Sequence, residues 1–439
     1  MQSTRNKWRY RALACIAWAA LSTSAQAQLR IQITSGVERP IPIAIVPFGW
    51  EGQGAEPFDI VEVITADLGN SGRFAPLPES DMVSRPTEPA QVNFQNWRLL
   101  ETDVLLIGRL VEDGPDRYTV VFQLFDVLRG EQSLGFRVTS ARADLRATAH
   151  RIADMVFEEL TGIPGVFGTR IAYVNETRSS AGRQYRLIVA DADGENARVI
   201  AESPQPLMSP GWSPDGRRVA YVSFEGNQSA IYIQTLRTGN REVASRRAGI
   251  NGAPSFSPDG RRLAITLSTD GNLDIYTLEL GTQVLRRITE SPAIDTEPTW
   301  SADGRSIYFT SDRAGGPQIY RVDAVAGARA ERLTFEGNYN TRPRLSPDGR
   351  QLAIVHRDQS NNDRIATLDV DSRLLQVLSN GRLDESPSYA PNGAMIIYAT
   401  RDAAQGVLAA VSSDGRVRQR IAAVAGDVRE PVWSPYSLP

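Results

Sequence analysis

One phrase returns along the second half of this chain at nearly constant spacing, and it constrains the fold more than anything else in the sequence. It reads "GWSPDG" at Trp212, "SFSPDG" at Phe256, "TWSADG" at Trp300, "RLSPDG" at Leu345, "SYAPNG" at Tyr389 and "VWSPYS" at Trp433. The intervals between these positions are 44, 44, 45, 44 and 44 residues. A period of this length, filled with short strand-like runs, is that of a propeller blade of four strands. Each aromatic or Leu ends an inner strand. Ser-Pro-Asp-Gly then makes a tight turn, with Pro fixing φ at its first central position and Asp and Gly suiting those after it. Second strands follow, such as "RVAYVS" (218–223) and "SIYFTS" (306–311). Third strands such as "LDIYTLEL" (273–280) and short outer strands such as "LRRIT" (285–289) complete each unit.

The first and last copies are incomplete, and they complement each other. Upstream of Trp212, "RIAYVNE" (170–176), "YRLIVADADG" (185–194) and "ARVIAE" (197–202) form a blade lacking its inner strand. The terminal "PVWSP" is an inner strand lacking its blade. A ring closed by that strand has six blades and no free edge at the join. In this reading Trp212, Phe256, Trp300, Tyr389 and Trp433 pack between blades, and the Asp-Gly pairs form turns. The Asp of these turns matches no metal loop, because no further carboxylates follow in step.

Residues 28–162 carry no repeat and read as a small α/β domain. "IPIAIVPF" (41–48) and the runs at 102–113, 117–128 and 133–140 are strands. The stretches 57–74 and 144–162 are helices, each with one apolar face. "TGIPGVFG" (161–168) is the expected junction, and the propeller is expected over 163–439. Residues 1–27 have the form of a cleaved secretory leader. Arg5, Lys7, Arg9 and Arg11 precede a short apolar run, and Ala25-Gln26-Ala27 makes a small-x-small site. The expected product is periplasmic and not membrane-spanning, since no later stretch has the apolar length a bilayer needs. Cys15 is the only cysteine and leaves with the leader, so no disulfide or thiol chemistry is expected. The leader also takes four basic residues and no acidic ones, and the net charge goes from −3 to −7. No basic run or domain points to nucleic acid, and pairs such as Arg261-Arg262 read as solvated turn residues.

Little in the sequence suggests catalysis. His150 lies on the second helix as a partly packed residue, and His356 ends a strand without an evident partner. Neither belongs to a legible triad or metal arrangement, and no phosphate loop, G-x-S-x-G or HExxH occurs. Two features do suggest binding. The polar segments just before each inner strand should encircle one mouth of the channel. Asp295, Glu297, Asp384, Glu385, Asp427 and Glu430 make that ring acidic, with Arg342 and Arg429 interleaved. The second feature is "QLRIQITSG" (28–36), which alternates apolar and polar residues as a half-buried strand does. It is either an edge strand of the small domain or a strand offered to a partner's sheet.

The ordered motifs "PQPLMSPGWSPDG", "NGAPSFSPDG", "TEPTWSADG", "YVSFEG" and "WSPY", together with "IVPF" and "ADLGNSG" upstream, resemble the TolB family of periplasmic propeller proteins. The resemblance spans the chain after its leader. It implies a non-enzymatic adaptor of the Tol-Pal envelope system that uses no cofactor. The channel mouth would bind the lipoprotein Pal, and the N-terminal segment would bind the C-terminal domain of TolA, the two events being coupled. The role implied is outer-membrane integrity and constriction in cell division, with further envelope partners and, in some species, colicins using the same propeller site. Carried onto this chain, the Pal face comprises Met208, Asn251, Gly252, Ala253, Thr296, Glu297, Asn340, Arg342, Asp384, Glu385, Arg429 and Glu430. The TolA segment comprises Leu29, Arg30, Ile31, Gln32, Ile33, Thr34, Ser35, Gly36 and Val37. Ile250 departs from the polar residue or His expected there. The alternative reading is an exported propeller hydrolase or lyase acting on envelope glycans through channel carboxylates.

Overall fold

The computed structural model describes residues 29–35, 39–180, 182–403, 405–423 and 426–436. The expected leader, Gly36, Val37 and the end of the chain lie outside them. The N-terminal region is one mixed sheet with its two longer helices on one face. Strand β1 (Leu29–Ser35) stands apart from that sheet. The sheet itself contains β2 (Ile41–Ile45), β3 (Gly49–Glu51), β4 (Phe74–Pro76), β5 (Val104–Gly114), β6 (Arg117–Asp126) and β7 (Glu131–Ala141). Its order is β4-β2-β5-β6-β7, with β3 also on β5. Helices α1 (Ile60–Asn70) and α3 (Leu145–Thr161) bury Ile64, Leu68, Ile152 and Val156 against Ile43, Leu106 and Phe122. Asp59 caps α1, its carboxylate accepting the Glu62 N–H at 2.9 Å. Gly162 ends α3 in the left-handed conformation, φ 69°. The other face is covered by a segment that has no sequence pattern of its own. Its short α2 (Phe94–Leu99) brings Trp97 onto Ala44, Leu105 and Ile107.

The propeller has six blades. Blade one joins Arg170–Ser179, Gly182–Asp191 and Arg198–Ser203 to the C-terminal strand Asp427–Trp433. Blades two to six begin at Leu207, Asn251, Asp295, Asn340 and Glu385. The C-terminal strand runs antiparallel to Arg170–Ser179, with Trp433 opposite Ile171 and Asp427 opposite Glu176. The middle strands of each blade read as continuous apolar runs because both faces are covered by neighbouring blades. Val219, Ala220, Tyr221 and Val222 are all buried.

The recurring turns work as their residues predict. In blade two, Ser213 Oγ accepts the Arg218 N–H at 2.9 Å, and Asp215 accepts the Arg217 N–H at 3.0 Å. The same pattern recurs at Ser257, Ser301 and Ser346. One expectation is corrected here. Arg262 is no solvated turn residue: its guanidinium lies 4.5 Å from the Trp300 ring centroid of the next blade and donates to the Gly304 carbonyl at 3.3 Å. Arg218 does the same to Phe256 and Gly260, and Arg170 to Trp212 and Gly216. The basic residue after the turn is thus a seam between blades.

The placement of β1 is the second correction. It is not an edge of the small domain's sheet. It pairs antiparallel with Arg418–Ala423, the outer strand of blade six, and makes that blade five-stranded. The outer strands of blades three, four and five span only 3, 2 and 3 residues, whereas those of blades one, two and six span 6, 5 and 6. Short outer strands offer little edge to pair with, and blade six is one of three that offer a longer one.

Candidate functional site

The segments expected ahead of the inner strands form the first half of those strands. Each inner strand carries a bulge, seen as a register skip between Met208 and Gly211, Gly252 and Ser255, Thr296 and Thr299, Thr341 and Arg344, Glu385 and Ser388, and Arg429 and Val432. A second Pro recurs inside each inner strand (Pro210, Pro254, Pro298, Pro343, Pro387 and Pro431), and the residue just before it is left-handed in every blade. The φ values are 52° at Ser209, 46° at Ala253, 56° at Glu297, Arg342 and Ser386, and 48° at Glu430. None of the six is glycine. The following Pro disfavours the right-handed helical region for these residues, and an L-residue pays about 1–2 kcal/mol for the left-handed one. Strain repeated at one ring of positions marks a functional surface more often than a packing accident.

These side chains run laterally from blade to blade. Glu297 receives the Arg342 N–H at 3.0 Å and the Thr310 hydroxyl at 3.0 Å, and pairs with Arg342 Nε at 3.0 Å. Arg342 continues to Ser386 Oγ at 2.5 Å. Glu430 likewise accepts the Ser209 N–H, which joins blade one to blade two. Burial works against the Arg342 charge, but Glu297, Glu430 and Glu385 outweigh it and hold the guanidinium protonated more firmly than usual. Burial pushes the Glu430 carboxyl up, against the pull of Arg342 and the Ser209 amide. Arg344 lies in the same channel, its pKa lowered by burial, and its guanidinium donates to the Pro343 carbonyl at 2.9 Å.

The expected site residues therefore divide in two. Met208, Gly252, Ala253, Thr296, Glu297, Arg342, Glu385, Arg429 and Glu430 are partly exposed around the channel mouth. Asn251 and Asn340 open their strands, Asp384 directly precedes its strand, and all three are fully buried. Asn251 accepts from Ser245 Oγ at 2.7 Å, Asn340 bonds to His356 and Gln318 at 2.9 and 3.0 Å, and Asp384 accepts from Ser379 and Thr400 at 2.5 Å each. Their polar atoms are spent inside the fold, largely on the preceding blade: Ser245 belongs to blade two, Gln318 to blade four, and Ser379 follows the outer strand of blade five. Asp295 of the acidic ring is also buried and is held by Arg313 at 2.6 Å. The ring is thus less acidic at its surface than a count of carboxylates implies.

Sequence reasoning missed Ser209, Ser386 and Arg344. The signal was available for the first two: each directly precedes the Pro inside its inner strand. It also missed an apolar rim. Ile250, Ile294 and Leu383 occupy equivalent places in blades three, four and six and are 50%, 47% and 38% exposed. His356 has a partner after all, in Asn340, and His150 is buried at 2% exposure beside Asp67.

Of β1, the backbone of Leu29 to Ser35 is paired, with Leu29 opposite Ala423 and Ile33 opposite Gln419. That pairing is antiparallel and consists of main-chain bonds along one edge only, the geometry of strand addition. The Gln419 side chain in turn donates to the Asn70 carbonyl at the end of α1, at 2.5 Å. The docked strand thus lies where the two domains meet.

Residues 29–133 match the family model described as the TolB amino-terminal domain, and residues 157–437 match that of the TolB beta propeller domain. The Tol-Pal system protein TolB of Xanthomonas euvesicatoria pv. vesicatoria (strain 85-10) is 54% identical over 420 residues, 95% of each chain. That of Xanthomonas axonopodis pv. citri (strain 306) is equally similar, at 54% over 95% of each chain. Among solved structures, the crystal structure of TolB from Acinetobacter baumannii superposes with a TM-score of 0.86. It is 38% identical, and the match covers 93% of this chain and all of that one. From its two domains, its closed six-bladed ring and these relatives, the chain belongs to the TolB family.

Proposed function

We propose that this protein is a non-enzymatic periplasmic adaptor of the Tol-Pal envelope system. Its channel mouth holds the lipoprotein Pal, and its N-terminal segment is offered to the C-terminal domain of TolA. The two events are coupled, and together they maintain outer-membrane integrity and constriction during division. The observation that carries this reading is β1 docked as a fifth strand on blade six. A strand held on one side of an exposed edge exchanges for a partner's edge without loss of the core.

The channel mouth supports the same reading. Partly exposed polar residues stand inside an apolar rim of Ile250, Ile294 and Leu383. A polar centre within an apolar rim suits a projecting loop of a protein surface. The hydrolase or lyase alternative needs two carboxylates free to exchange protons. Here Glu297 and Glu430 accept backbone N–H groups of the next blade, and Asp295 and Asp384 are internally bonded.

Two binding measurements test the proposal. In a pull-down with the soluble domain of the lipoprotein, Glu297→Ala weakens capture by removing the Arg342 partner, and Ala253→Trp blocks it sterically. Unchanged capture by both variants overturns the channel site. Deleting residues 28–36 abolishes binding of the TolA C-terminal domain while the propeller stays folded. Persistent binding overturns the role given to the N-terminal segment.

A further inference from the structure

A buried charged cluster spans the two domains, and none of the binding functions above uses it. His150, on the second turn of α3, is 2% exposed. Its Nδ1 lies 2.6 Å from Asp67 Oδ2 on α1. Its Nε2 has no hydrogen-bond partner and lies 3.7 Å from Asp193 Oδ2, on the turn that follows Gly182–Asp191 in blade one. Arg146, one turn earlier on α3, donates to the same Asp193 oxygen. Its Nε is also buried without a partner, 3.8 Å from Asp191 Oδ2. The small domain therefore aims two nitrogens at two propeller carboxylates, and both stop about half an ångström beyond hydrogen-bond length. Beside them is a cavity of about 70 Å³ bounded by Asp67, Arg73, Phe157, Asp193, Gln419 and Trp433, which leaves room for the closing movement.

An imidazole with a carboxylate on each nitrogen holds two protons best. From this geometry we infer that His150 is a proton-operated latch between the domains: as imidazolium it bridges Asp67 and Asp193, and on losing its proton it releases blade one and loosens the docked β1. The charged groups facing it are Asp67 on α1, Arg146 and Asp154 on its own helix, Asp191 and Asp193 from the propeller, and Arg73 on the shared cavity. Burial alone would lower the His150 pKa, but its bond to Asp67 and the charges of Asp67 and Asp193 outweigh it and raise the value above the ordinary one. The sign follows: the bridge is fully present below the unfolded pKa and is lost as pH rises through the higher folded value. Above it, Nδ1–H stays on Asp67 and a lone pair on Nε2 faces the Asp193 carboxylate. Asp154, pushed up to about 6 mainly by burial, accepts the Phe167 and Gly168 N–H groups of the connecting segment.

The latch connects to β1 by a short path. Three residues after Asp67, the Asn70 carbonyl receives Gln419, and Gln419 is the cross-strand neighbour of Ile33. A small domain freed from blade one shifts the support of the strand on which β1 sits. The inference concerns docking alone and stands whatever the released strand binds.

Hydrogen exchange of the whole protein at about pH 6 and about pH 8.5, corrected for intrinsic rates, is the test. Protection of the amides of residues 29–35 is expected to fall by roughly fivefold or more at the higher pH, with propeller-core amides unchanged. His150→Gln removes the dependence and gives the low protection at both pH values. Asp193→Asn keeps the His150–Asp67 bond but weakens the Arg146 pair as well, so its level of protection is not diagnostic; loss of the pH dependence is expected, and a dependence that persists in this variant overturns the inference even if His150→Gln fails to fold. Equal wild-type protection at both pH values overturns the inference. So does a dependence that survives in His150→Gln, which would assign it to Asp154.

Discussion

The first and the last described strands of this chain each join a blade remote from them in sequence, and the two are held very differently. The C-terminal strand enters blade one from inside the ring. Val428 is fully buried, Trp433 Nε1 donates to Thr169 Oγ1 at 2.8 Å, and Trp433 N donates to Ser388 of blade six at 3.0 Å. Ser434 then repeats, across 264 residues, what the turn serines of blades two to five do within one turn. Its Oγ accepts the Arg170 N–H at 3.0 Å, and its own N–H reaches the Arg170 carbonyl at 2.8 Å. Strand β1 has a neighbour on one side only, at the outer rim. The same kind of pairing thus closes the ring at the centre and extends one blade at its edge. What separates them is that the C-terminal strand also bonds to a second blade, whereas β1 pairs along a single edge.

The largest break in this comparison comes from removing residues 427–439. The ring opens between blades one and six, and the unfolding free energy is expected to fall by about 5 kcal/mol or more, read by chemical denaturation. Deleting residues 28–35 is expected to move the melting temperature by about 2 °C or less. A large shift there would make β1 a structural element. Next in size is Ser434→Ala, which strips a buried N–H of its acceptor and should cost about 1–2 kcal/mol. No cost would mean that side-chain packing alone holds the closure. An ordinary seam sets the scale: Arg262→Lys loses the stack on Trp300 and the bond to Gly304, about 1 kcal/mol in the same assay. Smallest for the fold is Ile31→Pro, which removes one ladder N–H from β1. It should abolish protection of residues 29–35 in hydrogen exchange and leave global unfolding unchanged.

The sequence was most legible where geometry repeats. The strand count, the turns and the partner of the C-terminal strand follow from spacing, because each blade must solve the same closure problem with the same residues. The small domain's helices were visible through their apolar faces, but the cover around Trp97 was not, since a short helix in a loop leaves no periodic trace. At the channel mouth the segments were legible and the exposure was not. Asp384 and Glu385 are adjacent carboxylates in the sequence, yet one is fully buried and the other faces the channel, because strand alternation sends neighbours to opposite sides. The docking of β1 was hidden for a simpler reason. Alternation reports a half-buried strand but not which edge receives it. His150 was misread because its partners come from a different helix and a different domain, more than 40 residues away in each direction.

The six left-handed residues before proline have a consequence for how such a ring changes. A glycine there would relieve the backbone, but this chain carries Ser, Ala, Glu, Arg, Ser and Glu instead. The fold fixes where each of these side chains emerges. Ala253 can change without loss of a bond, whereas Glu297, Arg342 and Glu430 also tie neighbouring blades together, so the mouth can vary only where its side chains are not themselves rivets of the ring.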